Sequence, residues 1–458
     1  MTNREERLYA IDVILRRHLG LDVAVLPEDR IDVSVALVGA SRHLLLPDGF
    51  FKNAEVASLR APIPAEVAGK FVAPGGSWAG RDRFDGVPVL FDARSGTDEW
   101  YTHQGERAVL STDPLGTAFF LISGYEEAVS DDGDVHGRYP AERSLAWRAG
   151  FLLRPIVDEH TEILWSAMQT IWPELVRRDA RFTVSPTHDV DLPFQHAFTG
   201  LGRMLLSCGA DVIRRRRLLQ PFKRISQWCR TKAGDPTADP ANTFDLIMDM
   251  SERAGRSSLF NFIVDHPAPK FDAYYDISHP WIRALMRRVV DRGHAIGLHL
   301  SYGSSDSTEQ MRKEIGIFRR LCEDLGVPST PVVSRQHWLR FRLPETMSRL
   351  DEAGVGIDMS MTFERSIGFR SGTCRPYPLF DVRRRHALRL MERPTIVMDA
   401  SITDSGTMGL GNGEAAASAA LAVKRRCEAV RGDFIVLWHN SRLTTPADVE
   451  LYRNVLEC

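Results

Sequence analysis

Four apolar stretches of this chain end in residues that can do chemistry. The stretch 182–191 (FTVSPTHDVD) closes on Asp189 and Asp191. On a strand, that spacing puts both carboxylates on one side, while His188 and Val190 face away. Two carboxylates aimed at one spot repel unless a cation or a shared proton relieves them. A metal is one reading of the pair; a turn at Asp191-Leu192-Pro193, with Asp as turn former, is the other. The stretch 293–302 (GHAIGLHLSY) carries His299 near its end, where a neutral imidazole makes a good ligand for a borderline cation. His294 starts that run with opposite parity and reads as a structural hydrogen-bonder, and Gly293 and Gly297 as sites of close packing or turning. In 332–341 (VVSRQHWLRF), Arg335 and His337 share strand parity. An arginine beside paired aspartates would keep one of them ionised; a surface arginine and a histidine packed on the indole are the plainer account. His439 closes the last apolar stretch, 434–441 (FIVLWHNS), where a single histidine is more often structural than catalytic. Its weight comes from joining the other three.

These residues need elements to hold them. From about residue 181, apolar stretches at 182–191, 258–266, 294–302, 332–341 and 434–441 alternate with helical segments such as 280–292 and 308–324. That alternation predicts a parallel α/β architecture, open or barrel-like, in which polar residues at strand C-terminal ends are the informative exceptions. The segment 201–241, with Arg214–Arg217, Lys223 and Arg224, reads as a basic helical insertion. A basic run is usually a solvated face, and contact with an anionic substrate such as a sugar phosphate is the minority reading. Residues 1–155 mix short β-type runs at 33–39, 87–92, 108–112 and 118–124 with Gly, Pro and Asp turns, predicting a smaller α/β domain. Residues 156–180 carry Ile163, Leu164, Met168, Ile171, Trp172 and Leu175 at helical spacing, predicting a bridging helix to the unit 181–458.

Composition narrows the field. The 458 residues carry 58 Lys and Arg against 60 Asp and Glu, a net charge of −2, so no global charge points to nucleic acid or an acidic membrane surface. No apolar run approaches the length of a membrane span. The start, MTNREERLYAIDVILRRHLG, reads as an amphipathic helix and not as a secretory signal, which makes the cytoplasm the expected compartment. Six cysteines lie far apart without a CxxC pair, which argues against a zinc ribbon or a secreted disulfide framework.

Together the motifs resemble the polysaccharide deacetylase family (carbohydrate esterase family 4, the NodB-homology fold). THDVD at 187–191 resembles its first motif, GHAIGLHLSY at 293–302 its second, RQHW at 335–338 its third and LWHN at 437–440 its last. The likeness spans roughly residues 181–458, and the preamble DGDVHGRYPAERS at 132–144 resembles a subgroup carrying an uncharacterised N-terminal domain, associated with surface-polysaccharide or lipopolysaccharide pathways. The resemblance implies a distorted (β/α) barrel preceded by a smaller α/β domain. It implies a divalent metal, zinc, with Asp191 and His299 as ligands, Asp189 as catalytic base, Arg335 orienting it and His439 as general acid. The implied reaction is hydrolysis of an N-acetyl group on a sugar, less readily an O-acetyl group. The partner is then an acetylated carbohydrate; neither nucleic acid nor a membrane span is expected, and the oligomeric state is open.

One departure matters. The family usually has a second histidine four residues after the first in motif two, and here that position is Gly303. A catalytic zinc wants three protein ligands and an open position. Either another residue supplies the third ligand, with His337 the candidate and His266 the runner-up, or the metal is weak or absent. Tyr302 and Trp338 are candidates to stack on sugar faces, with core packing an equal account of the tryptophan. Arg370 is a candidate substrate contact, with a structural salt bridge the stronger alternative. Asp399, after the apolar run TIVM, is placed on the same rim or in a turn. Two other functions stay open: a degenerate barrel that binds carbohydrate or a partner protein, and a hydrolase of a non-sugar amide. His103, His136 and His160, and the acidic turn of Asp131, Asp132 and Asp134, suggest no chemistry in the N-terminal domain.

Overall fold

A computed structural model describes residues 3–25, 33–59, 63–70, 86–91, 101–130, 133–213, 216, 218–272 and 275–457. Asp92, Asp131 and Asp132, and Arg214, Arg215 and Arg217 of the basic run lie outside the described residues. The protein is mixed α/β and divides into two compact units, each discontinuous in sequence. One comprises Met1–Thr183, Leu339–Ile396 and Ala422–Phe434; the other comprises Val184–Trp338, Val397–Leu421 and Ile435–Cys458. The strand–helix alternation had suggested contiguous segments instead; by contacts, residues 339–396 group with the N-terminal part.

The second unit holds the motif residues. Its strands are β1 (Thr183–Val190), β2 (Leu259–Ile263), β3 (Ala295–Leu300), β4 (Val333–Gln336), β5 (Val397–Met398) and β6 (Asp433–Leu437). They lie side by side in the order β4-β3-β2-β1-β6-β5. The pairs β1–β2, β2–β3, β3–β4 and β5–β6 are parallel. β2, β3, β5 and β6 are largely apolar because both faces of such a sheet are covered, with Phe260, Phe262, Leu298, Leu300, Ile435 and Val436 buried, whereas β1 (TVSPTHDV) and β4 (VSRQ) carry most of the polar exceptions. Register then aligns the exceptions: Asp189 opposite Asn261, Asn261 opposite Gly297, and His299 opposite Arg335. Helices α1 (Leu201–Ile213), α2 (Gln220–Lys232), α3 (Phe244–Arg253), α4 (Pro280–Asp291) and α5 (Thr308–Leu325) lie between strands in sequence, and α6 (Pro446–Glu457) follows β6. Their ends follow local rules. Ser307 accepts from the Gln310 N–H at the start of α5, and Gly326 ends it at φ 70°. Pro280 opens α4 while His279 Nδ1 accepts from the Trp281 N–H.

In the first unit, four strands run in the order Val33–Ala36, His43–Leu46, Arg107–Leu110, Tyr101–Gln104. The stretch 118–124, expected as a β-type run, belongs to a helix, Pro114–Ile122. The reason is its N-terminus: Asp113 accepts from the Gly116 N–H at 2.7 Å, and Pro114 pre-sets the first helical turn. Every residue of that helix is buried, so no polar face exists to reveal a helical period. The predicted helices near the N-terminus and at 156–180 form over Arg4–Ile11, continuing through His18, and over Ile156–Ile171.

Glu314 of α5 pins the end of β3. Its carboxylate accepts from the Ser301 N–H (2.9 Å), the Ser301 hydroxyl (2.5 Å) and Gln310 Nε2 (2.7 Å). Burial pushes its pKa up to about 7, against the lowering effect of those bonds. The folded state therefore binds the proton more tightly than the unfolded chain. This group's contribution is present below about pH 4.5 and is lost as pH rises through about 7. Glu314→Gln removes that dependence. In urea melts at pH 5 and pH 8, the variant is expected to gain about 2–3 kcal/mol on the wild type between the two conditions.

Candidate functional site

The site is built at the C-terminal ends of the parallel strands of the second unit. Asp189, the next-to-last residue of β1, is buried. Its Oδ1 accepts from Arg335 Nη1 and from Asn261 Nδ2, both at 2.9 Å. Arg335 is itself fully buried and donates through Nη2 to Thr187 Oγ1 at 2.9 Å. Burial would raise the Asp189 carboxyl, but Arg335, then His299 and His439, outweigh it and hold the group below the usual carboxylate range. Gly297 makes room for this arrangement. A Cβ there would stand 2.2 Å from Asn261 Oδ1, so only glycine lets the Asn261 amide keep its place beside Asp189. His188, of opposite parity, is a core residue bonded to the Trp438 carbonyl at 2.7 Å.

Asp191 sits just past β1, with its side chain 33% exposed. Its Oδ1 lies 3.2 Å from His299 Nε2 and 3.7 Å from His337 Nε2, and it makes no hydrogen bond of proper geometry. Asp191, His299 and His337 offer ligand atoms all within 4.8 Å of one another. Two ligands at about 2.1 Å from a tetrahedral zinc are separated by roughly 3.4 Å, so the distances to Asp191 bracket that value. The imidazoles are also oriented for the task. His299 Nδ1 lies 3.0 Å from the Arg335 carbonyl, which can only accept, so the proton sits on Nδ1 and the Nε2 lone pair faces Asp191. His337 Nδ1 lies 3.4 Å from Asp272 Oδ1, the carboxylate–histidine pairing that fixes a ligand's tautomer. An unbonded carboxylate oxygen facing two imidazole nitrogens is a donor set suited to a divalent cation. The three residues fit one.

The field points the same way. Burial would raise Asp191, but His337, His299 and His439 hold it far below the usual range. Burial would lower His299, yet Asp189 and Asp191 push it up. On the other side of Asp191, His439 Nε2 stands 3.6 Å from Oδ2. Its Nδ1 bonds Asp399 Oδ1 at 2.8 Å, and its backbone N–H donates to Asp399 Oδ2 at 2.6 Å. Against the lowering effect of burial, Asp399 in particular, with Asp191 and Asp189, pushes His439 up to about 9.

Of the residues singled out in the sequence, Asp189, Asp191, His299, Arg335, His337 and His439 come together. The strand-parity argument for His337 does not describe how it gets there. β4 ends at Gln336, and His337 enters a turn in which Trp338 adopts φ 61°, ψ 14°. Asp399 opens the helix Asp399–Thr403, and its carboxylate orients His439 instead of merely forming a turn. Trp338 is 40% exposed and meets Phe271 and Tyr302 edge-on, while Tyr302 stacks on Phe271 at 4.1 Å. His266 instead packs edge-on against Tyr275, and a side chain begun at Gly303 would meet only Pro267. Arg370 belongs to the other unit. It is buried there, bonded twice to Glu127 (2.9 and 2.6 Å) and to the Thr362 and Phe341 carbonyls. That is a structural ion pair in place of the substrate contact.

Two residues escaped sequence reasoning. Asn261 had a signal, a polar residue inside an apolar strand run. Asp272 had none. It lies in the irregular segment before α4, buried, and also accepts from the Tyr302 and Ala268 N–H groups at 2.7 and 2.8 Å.

Residues 1–173 match the model of a family of unknown function (DUF7033). No curated protein matches the chain. Among solved structures, a provisionally assigned polysaccharide deacetylase from Mycobacterium smegmatis is similar at 15% identity and a TM-score of 0.37, over 61% of this chain and 83% of that one. Puue allantoinase is similar at 12% identity and 0.36, over 61% and 84%. The Xyl-CE4 domain of a multidomain xylanase from the hindgut metagenome of Trinervitermes trinervoides is similar at 11% identity and 0.29, over 61% and 82%.

Because Asp272 fixes the His337 ring, Asp272→Asn is expected to weaken zinc binding by about 10- to 100-fold in equilibrium dialysis. His337→Ala is expected to weaken it further. Metal content unchanged in both variants would remove His337 from the ligand set.

Proposed function

We propose that the protein is a metal-dependent deacetylase that hydrolyses an N-acetyl group on a sugar of a surface polysaccharide or its precursor. The observation that carries this reading is the carboxylate of Asp189, ionised and aimed by Arg335 and Asn261, beside the three-residue group Asp191, His299 and His337. On this reading the sheet of the second unit is the distorted (β/α) barrel, and residues 181–458 form the catalytic part.

A divalent ion, zinc by the nitrogen-rich donor set, supplies Lewis-acid polarisation of the acetyl carbonyl and of the attacking water when bound. The rest falls to the side chains. Asp189 Oδ1 is committed to Arg335 and Asn261, which leaves Oδ2 to take the proton of the water. His439 presents Nε2 to the same spot, with Nδ1 held by Asp399, and delivers a proton to the departing nitrogen. Amide cleavage needs that delivery, because an unprotonated amine anion is a very poor leaving group. Tyr302, Trp338 and Phe271 supply aromatic faces on which a sugar ring stacks, and the exposure of Trp338 supports that role. The paired base and acid favour hydrolysis over a barrel that only binds carbohydrate.

Asp189→Asn and His439→Ala are each expected to lower acetate release from N-acetylglucosamine oligomers by roughly 10²- to 10⁴-fold. Asp189→Asn should leave the zinc content intact. Wild-type rates in either variant would refute the assigned roles.

A further inference from the structure

The helical pair α1 and α2 turns its apolar side outward. At about 100° per residue, Leu201, Leu205, Val212, Ile213 and Leu206 of α1 fall within an arc of about 140°. All five are exposed, Leu206 at 77% and Ile213 at 79%. Only the glycines Gly202 and Gly209 share that arc. The opposite stripe, Met204, Cys208 and Asp211, is buried. Asp211 Oδ2 receives Arg224 Nε of α2 at 2.8 Å, which ties the two helices together. The turn between them adds exposed Leu218 and Leu219, and α2 adds Ile225 and Phe222, the latter 72% exposed. A soluble helix normally shows water its polar face, and large apolar residues exposed in this number on two paired helices mark an interaction site.

Charge identifies the partner. Residues 192–234 contain nine Lys or Arg and a single acidic residue, the buried and paired Asp211, in a chain whose net charge is −2. Arg203 and Lys223 are exposed on the same two helices, as is Arg230, which pairs with Asp235 at 2.6 Å. Exposed Leu, Ile and Phe bordered by cations, on helices too short to span a bilayer, match the chemistry of an anionic lipid interface. Among the described residues, no helix is long and apolar enough to cross a membrane. We infer that α1, α2 and their turn dock the protein on the surface of a bilayer containing anionic lipid.

The test is co-sedimentation of the full chain with phosphatidylcholine vesicles, with and without phosphatidylglycerol, at low and raised salt. It reads no activity, so its outcome is separate from that of the deacetylase assignment. Binding is expected to anionic vesicles, to fall about tenfold or more without phosphatidylglycerol, and to weaken with salt. Leu206→Glu and Phe222→Glu are expected to abolish it, and Lys223→Glu to weaken it, with melting curves unchanged because these side chains already face solvent. Equal sedimentation with neutral and anionic vesicles, or with wild type and variants, would overturn the inference. So would a failure to bind accompanied by a concentration-dependent dimer that Leu206→Glu dissociates, since the face would then belong to a second copy.

Discussion

Two carboxylates that converge at one sheet edge set the terms for everything around them. Asp189, which is buried, and Asp191, which is partly exposed, are both held in the ionised state, and like charges this close persist only when positive charge is organised about them. Arg335 is a permanent part of that compensation, locked by Thr187 and Asp189 in a fully buried position. His299 and His439 add to it, and their raised proton affinities register the same surplus of negative charge. A cation held by Asp191, His299 and His337 would answer the imbalance directly. The acceptors on which those rings depend, the Arg335 carbonyl and Asp272, come from the strand next to β3 and from the segment before α4.

Much of this was legible in the sequence because the pattern of a covered parallel sheet is stringent. Polar residues cost free energy inside such strands, so Asp189, His299, Arg335 and His439 stood out at the ends of apolar stretches, and strand register carried them to one edge. What stayed hidden lacks a period. Asp272 sits in irregular backbone, and its bonds to His337 and to the Tyr302 N–H depend on three segments meeting. The stretch 118–124 misled for a related reason: most of it lies in a helix buried all round, which looks like a strand core. Arg370 showed the limit of residue type as a guide. A buried arginine satisfied by Glu127 and two carbonyls is a fold contact, whatever its neighbours in sequence suggest.

The apolar helical pair illustrates a different blind spot. Net charge averages over a whole chain, and −2 conceals a segment of strongly basic character. Nor does composition say which side of a helix faces water. α1 has an ordinary amphipathic pattern; only its orientation, with Met204 and Cys208 inward and Leu205 and Leu206 outward, sets it apart. The pair also follows closely on Asp191 in the same unit, so any surface that engages it is tethered to the strand end bearing the two carboxylates.

The bare Cα at position 297 has an evolutionary corollary. Because a methyl group there would collide with the amide oxygen of the residue opposite, Gly297 and Asn261 cannot drift independently. A relative bearing alanine at the first position would have to shorten the second, and the Asp189 Oδ1 would then lose the Asn261 bond and keep that of Arg335. The two sites form a single steric unit, and a change at one would call for a matching change at the other to keep the Asp189 carboxylate held.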